Sequence, residues 1–148
     1  MNTSPSARRI LGPAVQSMPS ACPLFSSHVA AGFPSPADDY VEGSLDLNEH
    51  LIEHREATFF VRAQGHSMTG AGILDGDLLV VDRALEARDG DIVIAAIDGE
   101  LTLKRLYQRD GVIRLAPENP RYQTIELQDG QELTLWGVVT SVIHRFKR

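Results

Sequence analysis

Asp-Gly pairs divide the second half of this 148-residue chain and restrict its fold. Five such pairs occur: Asp75-Gly76, Asp89-Gly90, Asp98-Gly99, Asp110-Gly111 and Asp129-Gly130. Both residue types tolerate the positive φ angles of tight turns, so each pair predicts a reversal of the chain. Asp98-Gly99 in particular predicts a tight hairpin. Reversals at this spacing predict a mainly β fold in which an antiparallel sheet folds over on itself.

The segments between these turns are short and rich in β-branched and apolar residues, as strands are. Seven strands are predicted at residues 58–63, 78–81, 92–97, 101–107, 112–115, 124–127 and 133–143. A short helix is predicted ahead of them over residues 46–54, because Leu47, Leu51 and Ile52 share one face of a helix. Asp46 is its expected N-cap, with Glu49 three residues later.

The N-terminal region differs in composition from the rest of the chain. Six of the eight prolines lie within residues 1–36, and residues 1–31 carry two arginines and no acidic residue. Their formal charge is +2, so the remainder of the chain carries −8 (−6 − 2). This composition predicts a flexible arm over residues 1–39 and one compact domain over residues 40–148. Composition alone leaves open whether the arm docks on the acidic domain or has no role.

Charge, cysteine content and hydropathy exclude several classes of protein. The net charge of −6 argues against a non-specific nucleic-acid binder. The single cysteine, Cys22, excludes an internal disulfide and fits a reducing compartment. No apolar run has the length of a membrane span. Arg8 and Arg9 begin a segment that partly resembles a signal peptide, but Pro13 interrupts its apolar run. We therefore expect a cytoplasmic protein with no membrane segment.

Ser67 and Lys104 are the residues with the most suggestive chemistry. Ser67 follows the first predicted strand in a glycine-rich loop, and Lys104 comes 37 residues later (104 − 67) in the strand at 101–107. A lysine can activate a serine hydroxyl when burial lowers its pKa far enough to leave a neutral amine. Thr102 lies on the same face of the strand and can hold that amine. Taken alone, such residues are more often an ordinary loop serine and a strand lysine whose amine reaches solvent.

The histidines give weaker signals. His66 adjoins Ser67, but neighbouring side chains of an extended chain point to opposite sides, so His66 is not predicted to be a base. His50 and His54 have a spacing that can bind a metal on a helix. No supporting cluster of Cys, Asp or Glu accompanies them, so the sequence predicts neither a metal site nor a cofactor.

From about Gly32 to near its C-terminus, the chain resembles the LexA/UmuD family of self-cleaving SOS-response proteins, and within it the UmuD type. The motifs that carry the resemblance are Gly32-Phe33-Pro34-Ser35-Pro36-Ala37, Asp39-Tyr40-Val41-Glu42, Asp46-Leu47-Asn48, Gly65-His66-Ser67-Met68, Asp75-Gly76-Asp77-Leu78-Leu79, Gly90-Asp91-Ile92-Val93-Ile94-Ala95-Ala96 and Leu103-Lys104-Arg105-Leu106. Residues 1–30 depart from the family pattern. This proline-rich segment is not expected to form the helix-turn-helix that LexA-type repressors carry ahead of the domain.

The resemblance implies a LexA/signal-peptidase-like fold and a role for each site residue. Ser67 would be the nucleophile, Lys104 the general base and Thr102 the residue that orients the lysine. The backbone N–H groups of His66 and Ser67 would form the oxyanion hole. The scissile bond would be Ala31-Gly32, so the arm would be the substrate.

The resemblance also implies partners. The cleaved product would be a homodimer that serves as accessory subunit of a UmuC-type Y-family translesion DNA polymerase, and a filament of RecA on single-stranded DNA would stimulate the cut. Neither a cofactor nor sequence-specific DNA binding is implied. Two alternatives stay open: a signal-peptidase-like protease acting in trans, and a polymerase-binding module without catalysis.

Overall fold

The computed structural model describes residues 20–26, 28–32 and 40–148. The predicted flexibility of most of the arm, and the family motif at 33–37, lie outside these residues. The chain forms two compact units, Met1–His50 and Leu51–Arg148. In chain order the elements are β1 (Cys22–Phe25), β2 (Val41–Leu45), α1 (Leu47–Leu51), a 3-10 turn (Arg55–Ala57), β3 (Thr58–Arg62), a second 3-10 turn (Thr69–Ala71), β4 (Leu78–Asp82), β5 (Ile92–Ile97), β6 (Glu100–Arg109), β7 (Val112–Ala116), β8 (Ile125–Glu126) and β9 (Leu133–Ile143).

The first unit contains a two-stranded antiparallel sheet that the sequence did not predict. Strands β1 and β2 pair from Cys22 opposite Leu45 to Phe25 opposite Val41. Nearly every residue of both strands is exposed, so neither shows the apolar alternation that marks a half-buried strand. The lack of burial therefore explains why composition pointed to an unstructured segment here.

Helix α1 is shorter than predicted, ending at Leu51 rather than at residue 54. Its start agrees with the sequence, because the Asn48 N–H donates to Asp46 Oδ1 at 3.0 Å, as an N-cap requires. Among the described residues, no helix has the length and hydropathy needed to cross a membrane.

The second unit is a seven-stranded sheet in the order β3-β4-β9-β5-β6-β7-β8, with every neighbouring pair antiparallel. The prediction of a mainly β, antiparallel fold is confirmed, and all seven predicted strands are present. Two of the predicted turns are two-residue hairpins with positive φ at both positions. Asp98 (φ 48°) and Gly99 (φ 86°) join β5 to β6, and Asp110 (φ 53°) and Gly111 (φ 75°) join β6 to β7.

Hydrophobic side chains fill two cores. One contains the buried residues Ala63, Met68, Ile73, Leu79, Val81 and Ile94, and the other contains Val93, Ala95, Leu106, Leu115 and Val138. Consecutive residues of β5 alternate between them, as side chains of a strand that is covered on both faces do. Lys104 is the cross-strand partner of Val93, and Thr102 is that of Ala95, so both lie on the face of the second core.

Two buried aspartates lie at the two ends of strand β4. Asp77 precedes it and accepts a hydrogen bond from His144 Nδ1 at 2.5 Å, while Asp82 ends it and accepts one from His54 Nδ1 at 2.6 Å. Burial alone would raise the pKa of each carboxyl, but hydrogen bonds from backbone N–H groups and from the histidines hold both pKa values below the ordinary range. The hydrogen bond to Asp82 in turn raises the pKa of His54.

Candidate active site

Ser67 lies in a loop between β3 and β4 whose shape depends on glycine and on one buried anchor. Gly65 has a φ of 87°, which glycine adopts at little cost, and its N–H donates to Asp75 Oδ1 at 2.7 Å. Met68 is only 2% exposed and packs into the first core. Its anchoring leaves Ser67 half-buried at the surface of the domain, while the neighbouring His66 is exposed.

Lys104 lies in β6, and its side chain reaches Ser67. The Lys104 Nζ is 3.3 Å from Ser67 Oγ, 3.0 Å from Thr102 Oγ1 and 3.1 Å from the carbonyl oxygen of Leu103. Burial of the half-buried amine lowers the pKa of Lys104. The structure therefore brings together the three side chains that the sequence singled out for this site.

The three oxygens around the amine suit a lysine that can lose one proton. A charged ammonium has three N–H donors and no acceptor, whereas a neutral amine has two donors and a lone pair. The Leu103 carbonyl can only accept, and Thr102 Oγ1 can accept as well. Two N–H bonds would then hold the neutral amine while its lone pair receives the Ser67 hydroxyl proton. The same geometry fits both protonation states, so proton transfer needs little rearrangement.

The predicted oxyanion hole consists of backbone groups, and these are available. Within the described residues, the N–H groups of His66 and Ser67 donate to no protein acceptor. The recorded hydrogen-bond partner of Ser67 Oγ is Lys104, not the His66 ring. The arrangement supplies a hydroxyl, a base and unpaired N–H donors, which are the groups that acyl transfer requires.

Sequence reasoning missed a segment that contacts the Ser67 loop. Glu118 and Asn119 follow β7, and hydrogen bonds from both reach carbonyl oxygens of the loop. The Glu118 side chain also accepts a hydrogen bond from Arg105 Nε at 2.5 Å. Pro117 and Pro120 flank the two residues, and this pair of prolines was the available sign of a fixed, non-repetitive segment.

The remaining predicted site residues lie outside this cluster. Ala31 and Gly32 are exposed residues in a bend of the first unit. The histidine pair considered for metal binding has no helical arrangement, because α1 ends at Leu51 and His54 bonds to Asp82. In residues 20–26, 28–32 and 40–148, no group of three or more His, Cys, Asp or Glu side chains is placed to hold a metal ion.

Comparisons with known proteins agree with the predicted family. The family described as Peptidase S24-like matches residues 23–140. Protein ImpA of Escherichia coli is 51% identical over 124 residues, which cover 83% of each chain. Protein SamA of Salmonella typhimurium strain LT2 is 49% identical over 136 residues, or 92% of this chain and 94% of SamA. The LexA repressor of Paracidovorax citrulli is 39% identical over 115 residues, or 78% of this chain and 51% of the repressor.

These matches span most of the chain and include Ser67, Lys104 and the elements that carry them. They confirm the predicted resemblance to LexA/UmuD proteins and support a serine protease that cleaves itself. The chain belongs to the Peptidase S24-like family.

Proposed function

We propose that this protein is a self-cleaving serine protease in which Ser67 is the nucleophile and Lys104 the general base. The observation that carries the proposal is the 3.3 Å approach of Lys104 Nζ to Ser67 Oγ, together with the burial that lowers the pKa of the lysine. Thr102 Oγ1, 3.0 Å from the amine, orients it. The bond cut is Ala31-Gly32, within the predicted arm over residues 1–39, and residues 40–148 form the peptidase domain.

Cleavage proceeds through an ester of Ser67. The Ser67 hydroxyl gives its proton to Lys104 Nζ while its oxygen attacks the carbonyl carbon of Ala31. The N–H groups of His66 and Ser67 stabilise the negative charge that develops on the Ala31 carbonyl oxygen. Lys104 then protonates the departing Gly32 nitrogen, and the C–N bond breaks. Water hydrolyses the ester with Lys104 again as base, which releases the Ala31 carboxylate and restores the serine.

Membership of this family supports a proposal for the biological role. The cleaved product acts in the cytoplasm as a homodimeric accessory subunit of a UmuC-type translesion DNA polymerase. A RecA filament on single-stranded DNA stimulates the cut by stabilising the conformation in which the arm occupies the site. The chain needs no cofactor for this chemistry, because the serine and lysine supply both nucleophile and base.

The test is incubation of the purified full-length protein at alkaline pH without any activator. High pH deprotonates Lys104, so slow cleavage should begin and should yield a product whose first residue is Gly32. A rate constant independent of protein concentration indicates cleavage within one chain, and one that rises with concentration indicates a protease acting in trans. Complete resistance to cleavage, with activated RecA as well as at high pH, would leave the non-catalytic binding module as the better description.

A further inference from the structure

We propose that Asn119, Glu118 and Arg105 form a positioning brace that fixes the Ser67 loop against the lysine strand and orients the oxyanion-hole donor. The brace is defined by these three side chains and by the backbone of residues 118–119. Its role in catalysis rests on the proposed self-cleavage. Its effect on the surroundings of Lys104 can be measured without any cleavage.

The brace contacts the loop at three points on its backbone. The Asn119 Nδ2 donates to the carbonyl oxygen of His66 at 2.8 Å. The Glu118 N–H donates to the carbonyl oxygen of Ser67 at 2.8 Å, and the Gly70 N–H donates to the carbonyl oxygen of Glu118 at 2.7 Å. The loop has little regular secondary structure of its own, so these bonds add to its internal turn bonds, which include a longer one from the Thr69 N–H to the His66 carbonyl oxygen at 3.4 Å, in orienting its peptide groups.

Asn119 acts on the peptide group that carries the proposed oxyanion donor. The carbonyl of His66 and the N–H of Ser67 belong to the same planar unit, and in a trans peptide they point in opposite directions. Holding the carbonyl towards Asn119 therefore directs the Ser67 N–H away from it. The hydrogen bond to the carbonyl also polarises the peptide, which makes its N–H a better donor.

The side chain of Asn119 is itself held in the donating orientation. Its Oδ1 accepts a hydrogen bond from the Arg121 N–H at 3.0 Å, which leaves Nδ2 to face the loop. Asparagine is suited to this position because one end of its amide accepts and the other donates. Aspartate can keep the bond from Arg121 but would place an acceptor against the His66 carbonyl.

Arg105 connects the brace to the strand of the proposed base. It follows Lys104 directly, so its side chain leaves β6 on the opposite face. Its Nε donates to Glu118 Oε1 at 2.5 Å and its Nη1 donates to the Gly90 carbonyl oxygen at 2.6 Å. Both partners of the ion pair are largely shielded, with side-chain exposures of 26% and 33%, so solvent screens it less than a surface pair.

The close approach at Gly70 is a further sign that loop and brace are fitted together. A Cβ atom at this position would lie 2.5 Å from the Glu118 carbonyl oxygen, a separation that real Cβ atoms do not adopt. A side chain at residue 70 would therefore push the Ser67 loop away from the brace. Glycine permits the contact because it has no Cβ.

The first test compares self-cleavage rates at alkaline pH in full-length variants. Asn119→Asp, and Asn119→Ala as an uncharged second variant, should lower the plateau of the rate-against-pH curve by about 100-fold, the usual cost of misplacing a catalytic group or oxyanion donor. Arg105→Gln should lower it by about tenfold, since the backbone bonds of the brace remain. Arg114→Gln is the matched control, because Arg114 lies in the strand next to Arg105 but its Nε bonds to Glu126 Oε2, at 3.1 Å, and not to Glu118.

The second test measures Lys104 directly and needs no cleavage. The chain has two lysines, Lys104 and Lys147, so a lysine-selective ¹³C label gives a simple NMR spectrum with Lys147 as internal reference. In a Ser67→Ala background, adding Asn119→Ala should raise the titration midpoint of Lys104, because the loosened loop admits water to the amine. Adding Arg114→Gln should leave it unchanged. Thermal melting of each variant gives its stability. A loss of stability alone would not move the Lys104 midpoint at temperatures where the variant is still folded.

The outcomes separate the brace from the proposed function. If the parent protein does not cleave itself, the proposed function fails, and the Lys104 titration still decides whether the brace positions the loop. If the parent cleaves and the folded Asn119 variants cleave at its rate, with Lys104 titrating as before, the brace is wrong. A plateau lowered equally by Arg105→Gln and Arg114→Gln would also overturn it, because the effect would then not depend on the contact with Glu118.

Discussion

The two units of this chain differ in how their residues are held. Among the described residues of the first unit none is buried, and its sheet consists of two short strands with four paired positions. The second unit has seven strands and two cores that contain fully buried side chains. A two-stranded sheet without a core is marginally stable, whereas catalytic groups on a packed sheet keep their geometry. The proposed self-cleavage would use this difference, because a substrate segment must rearrange while catalytic groups stay in place.

The largest expected effect is on Ser67 and Lys104, the proposed catalytic pair. Lys104→Arg and Ser67→Ala should each lower the alkaline self-cleavage rate by more than about 1,000-fold, because a guanidinium stays protonated and an alanine has no nucleophile. Gel electrophoresis over time measures the rate, and thermal melting shows whether the second unit stays folded. His66→Ala is the control and should keep substantial activity, because only its backbone N–H is used. Loss of cutting in a folded His66→Ala protein would instead assign the base to histidine.

The second prediction concerns Gly32, the residue of the first unit that follows the proposed cleavage site. Gly32→Trp should stop cleavage, because a bulky side chain beside the proposed scissile bond would not enter a site that accepts Ala-Gly. The fold should be unaffected, since a Cβ at this exposed position meets no atom within 4 Å. The melting temperature should therefore equal that of the parent protein while the cut product is absent. Gly43→Trp, at another glycine of this unit with open space around it, should still cleave.

The difference in burial predicts unequal costs for the same substitution in the two units. Leu106 is fully buried in the second core, so Leu106→Ala should lower the unfolding free energy by about 2–5 kcal/mol. Leu24 in β1 is 38% exposed, and Leu24→Ala should cost less than about 1 kcal/mol. Urea denaturation of both variants measures the two values. Equal losses would show that the side chains of the first unit are packed as tightly, in energetic terms, as those of the second core.

The same difference explains what the sequence could predict. The strands of the second unit were found because burial on both faces selects continuous apolar runs, as in residues 92–97, and because Asp-Gly pairs place the turns. Strands β1 and β2 were missed because pairing without burial leaves no apolar period. The backbone hydrogen bonds that pair these strands join N–H and carbonyl groups, which every residue type has apart from the missing N–H of proline, so the side-chain types do not reveal the pairing.

The site shows the same limit of sequence reasoning. Ser67, Lys104 and Thr102 were identified because nucleophile, base and orienting hydroxyl must be particular residue types. Glu118 and Asn119 were missed because they act largely on carbonyl and N–H groups, which every residue has. Only the folded chain shows which peptide groups they contact, and no spacing between residues 67 and 119 would predict it.

The smallest expected effect concerns a polar contact within the second unit and depends on pH. The hydrogen bond to Asp82 raises the pKa of His54, so the protonated histidine contributes stability that is fully present below its ordinary pKa of about 6.5 and is lost as pH rises through its folded value. The lowered pKa of Asp82 means that its own contribution is lost only as pH falls through that folded value, below the ordinary range of aspartate.

His54→Gln should therefore lower the melting temperature most at about pH 5–6 and less at about pH 9, where a neutral hydrogen bond remains. His50→Gln, which replaces an exposed histidine outside the sheet, is the control and should change the melting temperature little. A loss for His54→Gln of the same size at both pH values would mean that the ion pair adds nothing beyond an ordinary hydrogen bond.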